Sequence, residues 1–289
     1  MKKNTRLVKK TRIKKEEREK KQKEGELENT ENKQTLVNIN DKTYFSAMRL
    51  VEESMWTRWS LLKLDPETRE IQATMFKVLN GLGLMYQVKF VSIYLMILMR
   101  NTWEEVQSNM GKCFANKSYG YKYNLLIISC IFISSNYEEL EPPNYSNIVQ
   151  AVQENGFEMK SGEKMIRKQV HILERLAWRL TGFQIELPSA NSFLMQIIQN
   201  SNLPKTSKFK VSRLSTEIIH NSLNSEIITK YKQSLIATSS ITLAITIEFE
   251  THPKKKQLYI DNVVAYSGYC RKEIASIQRI LRKTSLDRK

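Results

Sequence analysis

Three carboxylates stand close together in the stretch ISSNYEELEPP, which covers residues 133–143 and ends in two prolines. Two carboxyl groups held beside a reacting bond can serve as general acid and general base. Glu138, Glu139 and Glu141 follow directly on an apolar run, however, where charged side chains mark the solvated end of a helix. The pattern favours surface charges over a catalytic pair, so we expect no catalytic residue here and no enzyme activity.

The histidines and cysteines are too dispersed to predict a metal or nucleophile site. The histidines lie in unrelated segments without an HExxH pattern: His171, His220 and His252. The cysteines are odd in number and widely spaced, without a CxxC pair: Cys113, Cys130 and Cys270. Because zinc sites and disulfide frameworks need closer or paired spacings, we expect no metal, no cofactor and a reducing compartment.

Basic residues are concentrated at the beginning of the chain. The sequence has 46 Lys and Arg against 30 Asp and Glu, a net charge of +16, and residues 1–23 alone hold 12 basic and 3 acidic residues. Residues 1–40 are rich in Lys and Glu and cannot bury enough apolar surface to fold, so we expect a disordered tail. Such a tail favours a targeting signal or a nonspecific polyanion contact. The run KKNTRLVKKTRIKKEEREKK resembles a nuclear localisation cluster, which predicts a protein of the nucleus and cytoplasm.

No stretch of the sequence has the pattern of a secretory or membrane-spanning segment. The basic start is not followed by the apolar region that a secretory signal requires. The longest apolar candidate, residues 78–99, is interrupted by Asn80, Gln87 and Lys89, and polar groups are unfavourable within lipid. We expect a soluble intracellular protein without a membrane partner.

Apolar residues repeat at helical rather than strand spacing from residue 41 onward. Tyr44, Met48, Val51 and Met55 recur at intervals of three and four, and Pro66 stands where a new helix can begin. The chain has only 9 Gly and 6 Pro, too few for a many-turned β architecture. The predicted helices are 67–83, 87–101, 121–136, 144–154, 161–181, 189–200, 206–223, 231–250, 257–266 and 270–283.

Two segments are apolar or small on every side, residues 123–135 and 234–245. A helix of this kind is typical of the centre of a bundle, surrounded by other helices. The sequence therefore predicts an all-α protein with two tandem five-helix bundles. The predicted divisions are a disordered tail (1–40), an N-terminal helix (41–65), a first bundle (66–187) and a second bundle (188–289).

Four segments, in the right order along the chain, resemble the cyclin family. Residues 122–149, KYNLLIISCIFISSNYEELEPPNYSNIV, resemble the third helix of a cyclin box and the loop after it. Residues 167–194, RKQVHILERLAWRLTGFQIELPSANSFL, resemble the fifth helix and the linker into the second box. Further on, KYKQSLIATSSITLA and AYSGY are similar to the family patterns YxPSxIAxxxxxLA and xxTGY. The combination is identified as a two-box cyclin, most similar to the mitotic A and B types.

The resemblance implies a regulatory subunit that forms a heterodimer with a cyclin-dependent serine/threonine kinase and controls cell-cycle progression and mitosis. Such a subunit packs against the mobile helix of the kinase and shifts it toward the active state, while the kinase supplies ATP, magnesium and the catalytic aspartate. The positions that match the family's kinase-binding surface are Ile133, Asn136, Tyr137, Glu138, Glu174, Trp178, Phe183 and Ile185.

The chain departs from the family pattern at one binding position and in two connections. Asn136 stands where the family has a lysine that pairs with the glutamate matched by Glu174. Asparagine can still donate hydrogen bonds to carbonyl groups, but without the assistance of a charge. Insertions around 102–119 and 154–163 are expected to lengthen loops of the first box.

Two other classes of function stay open on the sequence. A cyclin-fold transcription initiation factor would use its basic charge for phosphate contacts, but it should carry an N-terminal zinc ribbon, and no cysteine precedes Cys113. A helical adaptor that keeps the fold without activating a kinase is compatible with Asn136. We favour the kinase regulator, with no specific nucleic-acid partner.

Overall fold

The computed structural model describes residues 43–56, 59–155, 163–185 and 187–285. The chain forms two compact units, residues 1–47 and 48–289, and the described part of the first unit, 43–47, is helical. The described residues of the second unit form helices joined by turns and short connections, without a strand, which confirms the predicted all-α class. Within these residues, no helix is both long enough and apolar enough to cross a membrane.

The first bundle follows helix α1, which covers residues 43–56. Asp65 begins the next helix, because its carboxylate accepts a hydrogen bond from the Thr68 N–H at 2.6 Å and Pro66 occupies the first turn. Residues 62–65 are therefore not part of the N-terminal helix predicted over 41–65, since a residue before proline disfavours the helical region. The helices of the bundle are α2 (Pro66–Gly81), α3 (Tyr86–Asn101), α4 (Trp103–Met110), a 3₁₀ helix (Gly111–Cys113), α5 (Tyr119–Glu138), α6 (Tyr145–Glu154) and α7 (Glu163–Leu180).

Helix α5 lies at the centre of the first bundle, as its uniformly apolar sequence predicted. It packs against both α3 and α7, and aliphatic side chains such as Leu125 and Ile131 are fully buried. Two of its buried serines pair their hydroxyl groups within the helix: Ser129 donates to Leu125 O at 2.7 Å, and Ser134 donates to Cys130 O at 2.8 Å. The helix can therefore be buried on every side without leaving these hydroxyls unpaired.

Helix α11 has the same position in the second bundle. It contacts α8, α9, α12 and α13, and the hydroxyls of Thr238, Ser240 and Thr242 each donate to the carbonyl four residues earlier. Both central helices were predicted from composition alone. The helices of this bundle are α8 (Ala190–Asn200), α9 (Lys205–Ser222), α10 (Ile227–Lys230), α11 (Gln233–Glu248), α12 (Pro253–Ser267) and α13 (Arg271–Ser285).

The buried side chain of Gln72 on α2 joins the two bundles. Its Nε2 donates to Leu223 O at 2.6 Å and to Ser225 O at 3.3 Å. On the surface nearby, Arg69 forms an ion pair with Glu226 at 2.8 Å. Both bundles belong to the unit 48–289, and the domain boundary expected between residues 187 and 188 stays a prediction.

The prediction that residues 102–119 form a lengthened loop is wrong for most of this segment, because it contains helix α4 and the 3₁₀ helix. Trp103, Val106 and Met110 are buried, since a spacing of three and four residues places them on one helical face. Helix α4 packs against α7. The segment is an additional helix of the first bundle, whereas the second expected insertion, 154–163, falls mostly outside the described residues.

Candidate partner-binding site

Three aromatic side chains from the ends of α5 and α7 meet at the surface of the first bundle. The ring of Tyr137 meets that of Trp178 edge-on, with centroids 6.1 Å apart. Phe183, in the turn after α7, stacks on Trp178 with centroids 6.3 Å apart. Tyr137 is 46% exposed and Phe183 is 74% exposed. These three residues, which we call the aromatic cluster, therefore present an apolar face to solvent.

The turn after α7 fixes the position of Phe183. The Phe183 N–H donates to Trp178 O at 2.8 Å, and the Gly182 N–H donates to Arg179 O at 3.1 Å. These two bonds form a Schellman motif, in which a left-handed residue ends the helix and the next side chain contacts its last turn. Gly182 provides the left-handed conformation with a φ of 62°. The stacking of Phe183 on Trp178 is the side-chain contact of this motif.

Phe183 itself has a φ of 63°, which its side chain disfavours. The left-handed region costs a residue with a Cβ atom about 1–2 kcal/mol, and glycine is its usual occupant. Because most of the Phe183 ring is exposed, burial of apolar surface does not repay this strain. A large aromatic side chain held exposed in a strained conformation indicates a function beyond the stability of the fold.

Ile133 and Ile185 occupy the core beneath the aromatic cluster. They are 2% and 1% exposed, and Trp178 packs against the same core. Of the apolar residues expected at a partner surface, the structure thus brings the three aromatics together at the surface and places the two isoleucines below them. The isoleucines can support the cluster, but they are not accessible to a partner in this conformation.

The polar residues expected at the site have separate surroundings. Asn136 is exposed and forms no hydrogen bond with another residue in the described part of the chain. Glu174 Oε2 lies 2.9 Å from His171 Nδ1 on the same helix, so the glutamate pairs with a histidine instead of position 136. Glu138 is half-buried in the last turn of α5. The pairing of His171 with Glu174 was not predicted from the sequence, although their i,i+3 spacing was a usable signal.

A cavity of about 240 Å³ shares the turn that carries Phe183. Leu180, Thr181 and Gln184 contribute from the end of α7, Met55 contributes from α1, and Tyr94 contributes from α3. This cavity could not be predicted from the sequence, because the residues of its walls are far apart along the chain and only the fold brings them together.

The other groups considered for chemistry have structural surroundings. Glu139 Oε1 accepts a hydrogen bond from the Met85 N–H at 3.0 Å, at the start of α3. His220 Nε2 lies 3.1 Å from Asn80 Oδ1, and burial, with the charge of Lys89 as a smaller cause, lowers the pKa of this histidine. Across the described ranges, no group of three or more His, Cys, Asp or Glu could hold a metal ion.

Two helical bundles, each around a buried central helix, and an exposed aromatic cluster define the class of protein: an all-α protein with an apolar surface site. Residues 44–181 match the family model "Cyclin, N-terminal domain". The fold is similar to that of a viral cyclin from herpesvirus saimiri, with a TM-score of 0.60 and 13% identity, over 83% of this chain and 96% of the viral one.

Curated cyclins of the A type are similar in sequence. Human cyclin-A1 is 23% identical over 166 residues, which are 57% of this chain and 32% of the human protein. The G2/mitotic-specific cyclin-A of Hydra viridissima is 25% identical over 149 residues, which are 51% of this chain and 31% of the relative. The alignments thus span about a third of the length of these relatives. The chain is thus similar to cyclins in the sequence of its first bundle and in its fold.

Proposed function

We propose that this chain is the regulatory subunit of a cyclin-dependent serine/threonine kinase that controls cell-cycle progression, and that the aromatic cluster binds the kinase. The similarity of residues 44–181 to the N-terminal domain of cyclins supports the class of partner. The positions of Tyr137, Trp178 and Phe183, which resemble the kinase-binding positions of the family, support the site. In this proposal the kinase performs the chemistry, and the cyclin chain acts without a catalytic residue or cofactor.

The aromatic cluster has the properties of an energetic hot spot. Large aromatic side chains dominate the binding energy of many protein interfaces. Tyr137 and Phe183 each contact Trp178, so the three rings restrict one another before a partner arrives and lose little conformational freedom on binding. A kinase whose active conformation fits this surface better than its inactive one is shifted toward activity by the difference in affinity.

The observation that carries the proposal is the strained and exposed conformation of Phe183. The test is capture of a mitotic-type cyclin-dependent kinase by the tagged chain, followed by a histone kinase assay on the captured complex. We expect Phe183→Ala to lose capture by about 30-fold or more, as truncation of a hot-spot residue does.

A matched control for this test is Phe209→Ala, because Phe209 on α9 is 73% exposed and lies in the second bundle. The control variant should capture and activate the kinase as the unchanged chain does. Equal capture by the Phe183 and Phe209 variants would contradict the assignment of the surface. Failure of the unchanged chain to capture any such kinase would contradict the proposed function itself.

A second candidate function is a kinase-binding adaptor that does not activate its partner. The surroundings of Asn136 and Glu174 favour it, because Glu174 pairs with His171 and Asn136 offers no charge to a kinase backbone. The kinase assay separates the two candidates: a captured but inactive kinase supports the adaptor, and stimulated phosphorylation supports the activating subunit.

A further inference from the structure

Helices α11 and α13 run side by side in the same direction in the second bundle. At the start of α11, Ser234 Oγ lies 2.6 Å from the hydroxyl of Tyr269, two residues before α13. Two turns further along, Gln278 Nε2 donates to Thr242 Oγ1 at 2.9 Å. The end of α13 therefore lies beside the end of α11.

Helices α9 and α12 begin at the same place. Lys210 in the second turn of α9 forms an ion pair with Glu248, the last residue of α11, at 3.1 Å. Helix α12 begins at Pro253, directly after the turn that follows α11. Two helix starts and two helix ends thus meet at one end of the bundle. We call it the distal end, formed by residues 205–213, 248–256 and 279–283.

The positive charge of the folded part is concentrated at this distal end. Residues 188–289 hold 16 Lys and Arg against 7 Asp and Glu, whereas residues 59–187 hold 14 against 13. Glu248 and Glu250 are the carboxylates of the distal end as defined above. Its basic residues are Lys205, Lys208, Lys210, Arg213, Lys254, Lys255, Lys256, Arg279, Arg282 and Lys283.

Most of these cations have no partner within the residues that the structure describes. Lys210 is paired with Glu248, and Lys208 Nζ donates to Gln199 O at 2.8 Å. The other eight form no ion pair or hydrogen bond with a described residue, and all but the half-buried Lys256 are exposed. Together these cations create a positive electrostatic potential, which attracts polyanions from a distance.

Four of these lysines, at the starts of α9 and α12, stand where the local rules of helix stability disfavour a positive charge. Acidic residues are favoured in the first turn of a helix, where the backbone N–H groups create a partial positive charge. Helices α9 and α12 have no acidic residue in their first turns. Lys205 instead begins α9, and Lys254, Lys255 and Lys256 stand in the first turn of α12. Fold stability does not explain these positions, and binding of an anion does.

An exposed aromatic ring stands within this basic surface. Phe209 lies between Lys208 and Lys210 in the sequence and is 73% exposed. A positively charged surface with an aromatic side chain is the combination that binds single-stranded nucleic acid, because the cations follow the phosphates and a base stacks on the ring.

We propose that the distal end of the second bundle binds nucleic acid, without sequence specificity and with a preference for single strands. The property is independent of kinase binding, which uses the other bundle. A lipid surface carries negative charge as well, but membrane-bound helices bury a broad apolar face, and Phe209 is the aromatic side chain that this end exposes. A dense row of phosphates is the ligand that matches the eight unpaired cations.

The test is fluorescence anisotropy of a labelled oligothymidylate of about 20 nucleotides, titrated with the full-length chain between about 50 and 200 mM salt. The variant is Lys254→Glu/Lys255→Glu/Lys256→Glu. We expect its affinity to fall by tenfold or more, and the slope of log K against log salt to become shallower by about 2, since each lost phosphate contact removes about 0.7.

A charge-matched control carries the same three reversals on the first bundle, at Lys77, Lys112 and Lys168, which are exposed and unpaired among the described residues. The control keeps the basic N-terminal tail, as the variant does, so the contribution of the tail cancels in the comparison. Because glutamate is favourable at a helix start, the variant should melt no lower than the control. If it does melt lower, Arg279→Gln/Arg282→Gln/Lys283→Gln provides a second test of the same surface.

Phe209→Ala distinguishes single strands from duplex. We expect it to weaken oligothymidylate binding about fivefold or more while leaving the affinity for a duplex of equal length unchanged, because a paired base cannot stack on the ring. Binding of the charge-reversed variant within twofold of the control would overturn the proposal. The proposal would also be overturned if the charge reversal removed binding to phosphatidylserine vesicles or polyglutamate while the affinity for the oligonucleotide stayed the same.

Discussion

The carboxylate of Glu52 caps the first turn of α11 by accepting a hydrogen bond from the Ser234 N–H at 2.8 Å, and it also accepts one from the Ser234 hydroxyl. Glu52 lies on α1 and is only 5% exposed. Burial raises the pKa of Glu52 above its ordinary value of 4.5, and the hydrogen bonds from Ser234 and the charges of Arg49 and Lys232 oppose this rise. A buried acid thus attaches α1 to the second bundle.

Glu52→Gln should remove a pH dependence from the stability of the protein. The folded state binds the Glu52 proton more tightly than the unfolded state, so the contribution of this residue is greatest below about pH 4.5 and declines as pH rises through the raised pKa. Glutamine keeps a carbonyl acceptor for Ser234 and cannot ionise. Between about pH 4 and about pH 7, the free energy of urea unfolding of the variant should therefore rise relative to that of the unchanged chain. A constant difference over that range would mean that Glu52 ionises normally in the fold.

Glu52→Ala should destabilise the fold at every pH. It leaves the Ser234 N–H without its acceptor inside the protein, which costs about 1–3 kcal/mol. The matched control is Glu53→Ala, because Glu53 is the next residue, its side chain is 60% exposed and its ion pair is with Lys232 on the surface. Exposed ion pairs contribute about 0–1 kcal/mol, so the control should unfold at nearly the same urea concentration as the unchanged chain.

Replacement of Phe183 by glycine should separate stability from binding. Glycine relieves the left-handed strain of about 1–2 kcal/mol but makes the unfolded chain more flexible by about 0.5–1 kcal/mol. Phe183→Gly should thus be as stable as the unchanged chain or slightly more stable, while kinase capture is lost. Phe183→Ala keeps the strained Cβ and should unfold more easily than Phe183→Gly. Equal stability of the two variants would show that the backbone at this position is not strained.

Asn136→Lys should increase affinity for a standard mitotic-type kinase. A hydrogen bond that involves an ionised group contributes about 1.5–3 kcal/mol, against about 1 kcal/mol for a neutral one. The gain corresponds to roughly tenfold in the dissociation constant, measured by titration of the purified kinase. A decrease in affinity would mean that the kinase surface is adapted to the amide and that lysine is buried there as an unmatched charge.

Glu174→Ala, made both in the unchanged chain and in the Asn136→Lys variant, completes a double-mutant cycle. The loss of kinase affinity should be larger in the Asn136→Lys variant, because the new charge would lack its partner. His171→Ala is a useful control, since Glu174 pairs with His171 in the free chain and removal of the histidine frees the carboxylate without deleting it. Zero coupling between positions 136 and 174, with no effect of either single change, would place this pair outside the interface.

The basic N-terminal tail should act as a targeting signal and should not contribute to the stability of the fold. We propose that it directs nuclear accumulation, because residues 1–23 carry 12 basic and 3 acidic residues and such a composition does not support a packed core. Deletion of residues 1–35 should leave the melting temperature and kinase activation unchanged while reducing the nuclear fraction of a fluorescently labelled chain. An unaltered nuclear fraction would refute the targeting role.

Composition and periodicity predicted the parts of the fold that depend on local sequence. The two central helices, α5 and α11, are uniformly apolar or small, and this pattern has few other solutions in a water-soluble bundle. Each of the ten helices predicted from residue 67 onward has an observed counterpart with ends within four residues. Helix α4 was missed although Trp103, Val106 and Met110 repeat at helical spacing, because the resemblance to the usual cyclin box led us to expect a loop there.

The conformations that shape the candidate site were less accessible to prediction. Gly182 after an apolar helix is a usable signal for a Schellman motif, but a second left-handed residue with a large side chain contradicts the rule that such positions belong to glycine. The burial of Glu52 was equally hidden, since a carboxylate on an amphipathic helix is expected to face solvent. The burial of Glu52 depends on a contact with a distant segment, which periodicity does not encode.

The contact between Glu52 and Ser234 spans 182 residues of the sequence, and this separation has a consequence for the order of assembly during synthesis. At about 5–20 residues per second, a ribosome releases α1 roughly 10–40 s before it releases the residues of α11. During that interval the Glu52 carboxylate has no hydrogen-bond donor on α11 and stays hydrated. Helix α1 can therefore dock on α11 only after α11 has been translated, and its protection from proteases would mark a chain that has been synthesised at least that far.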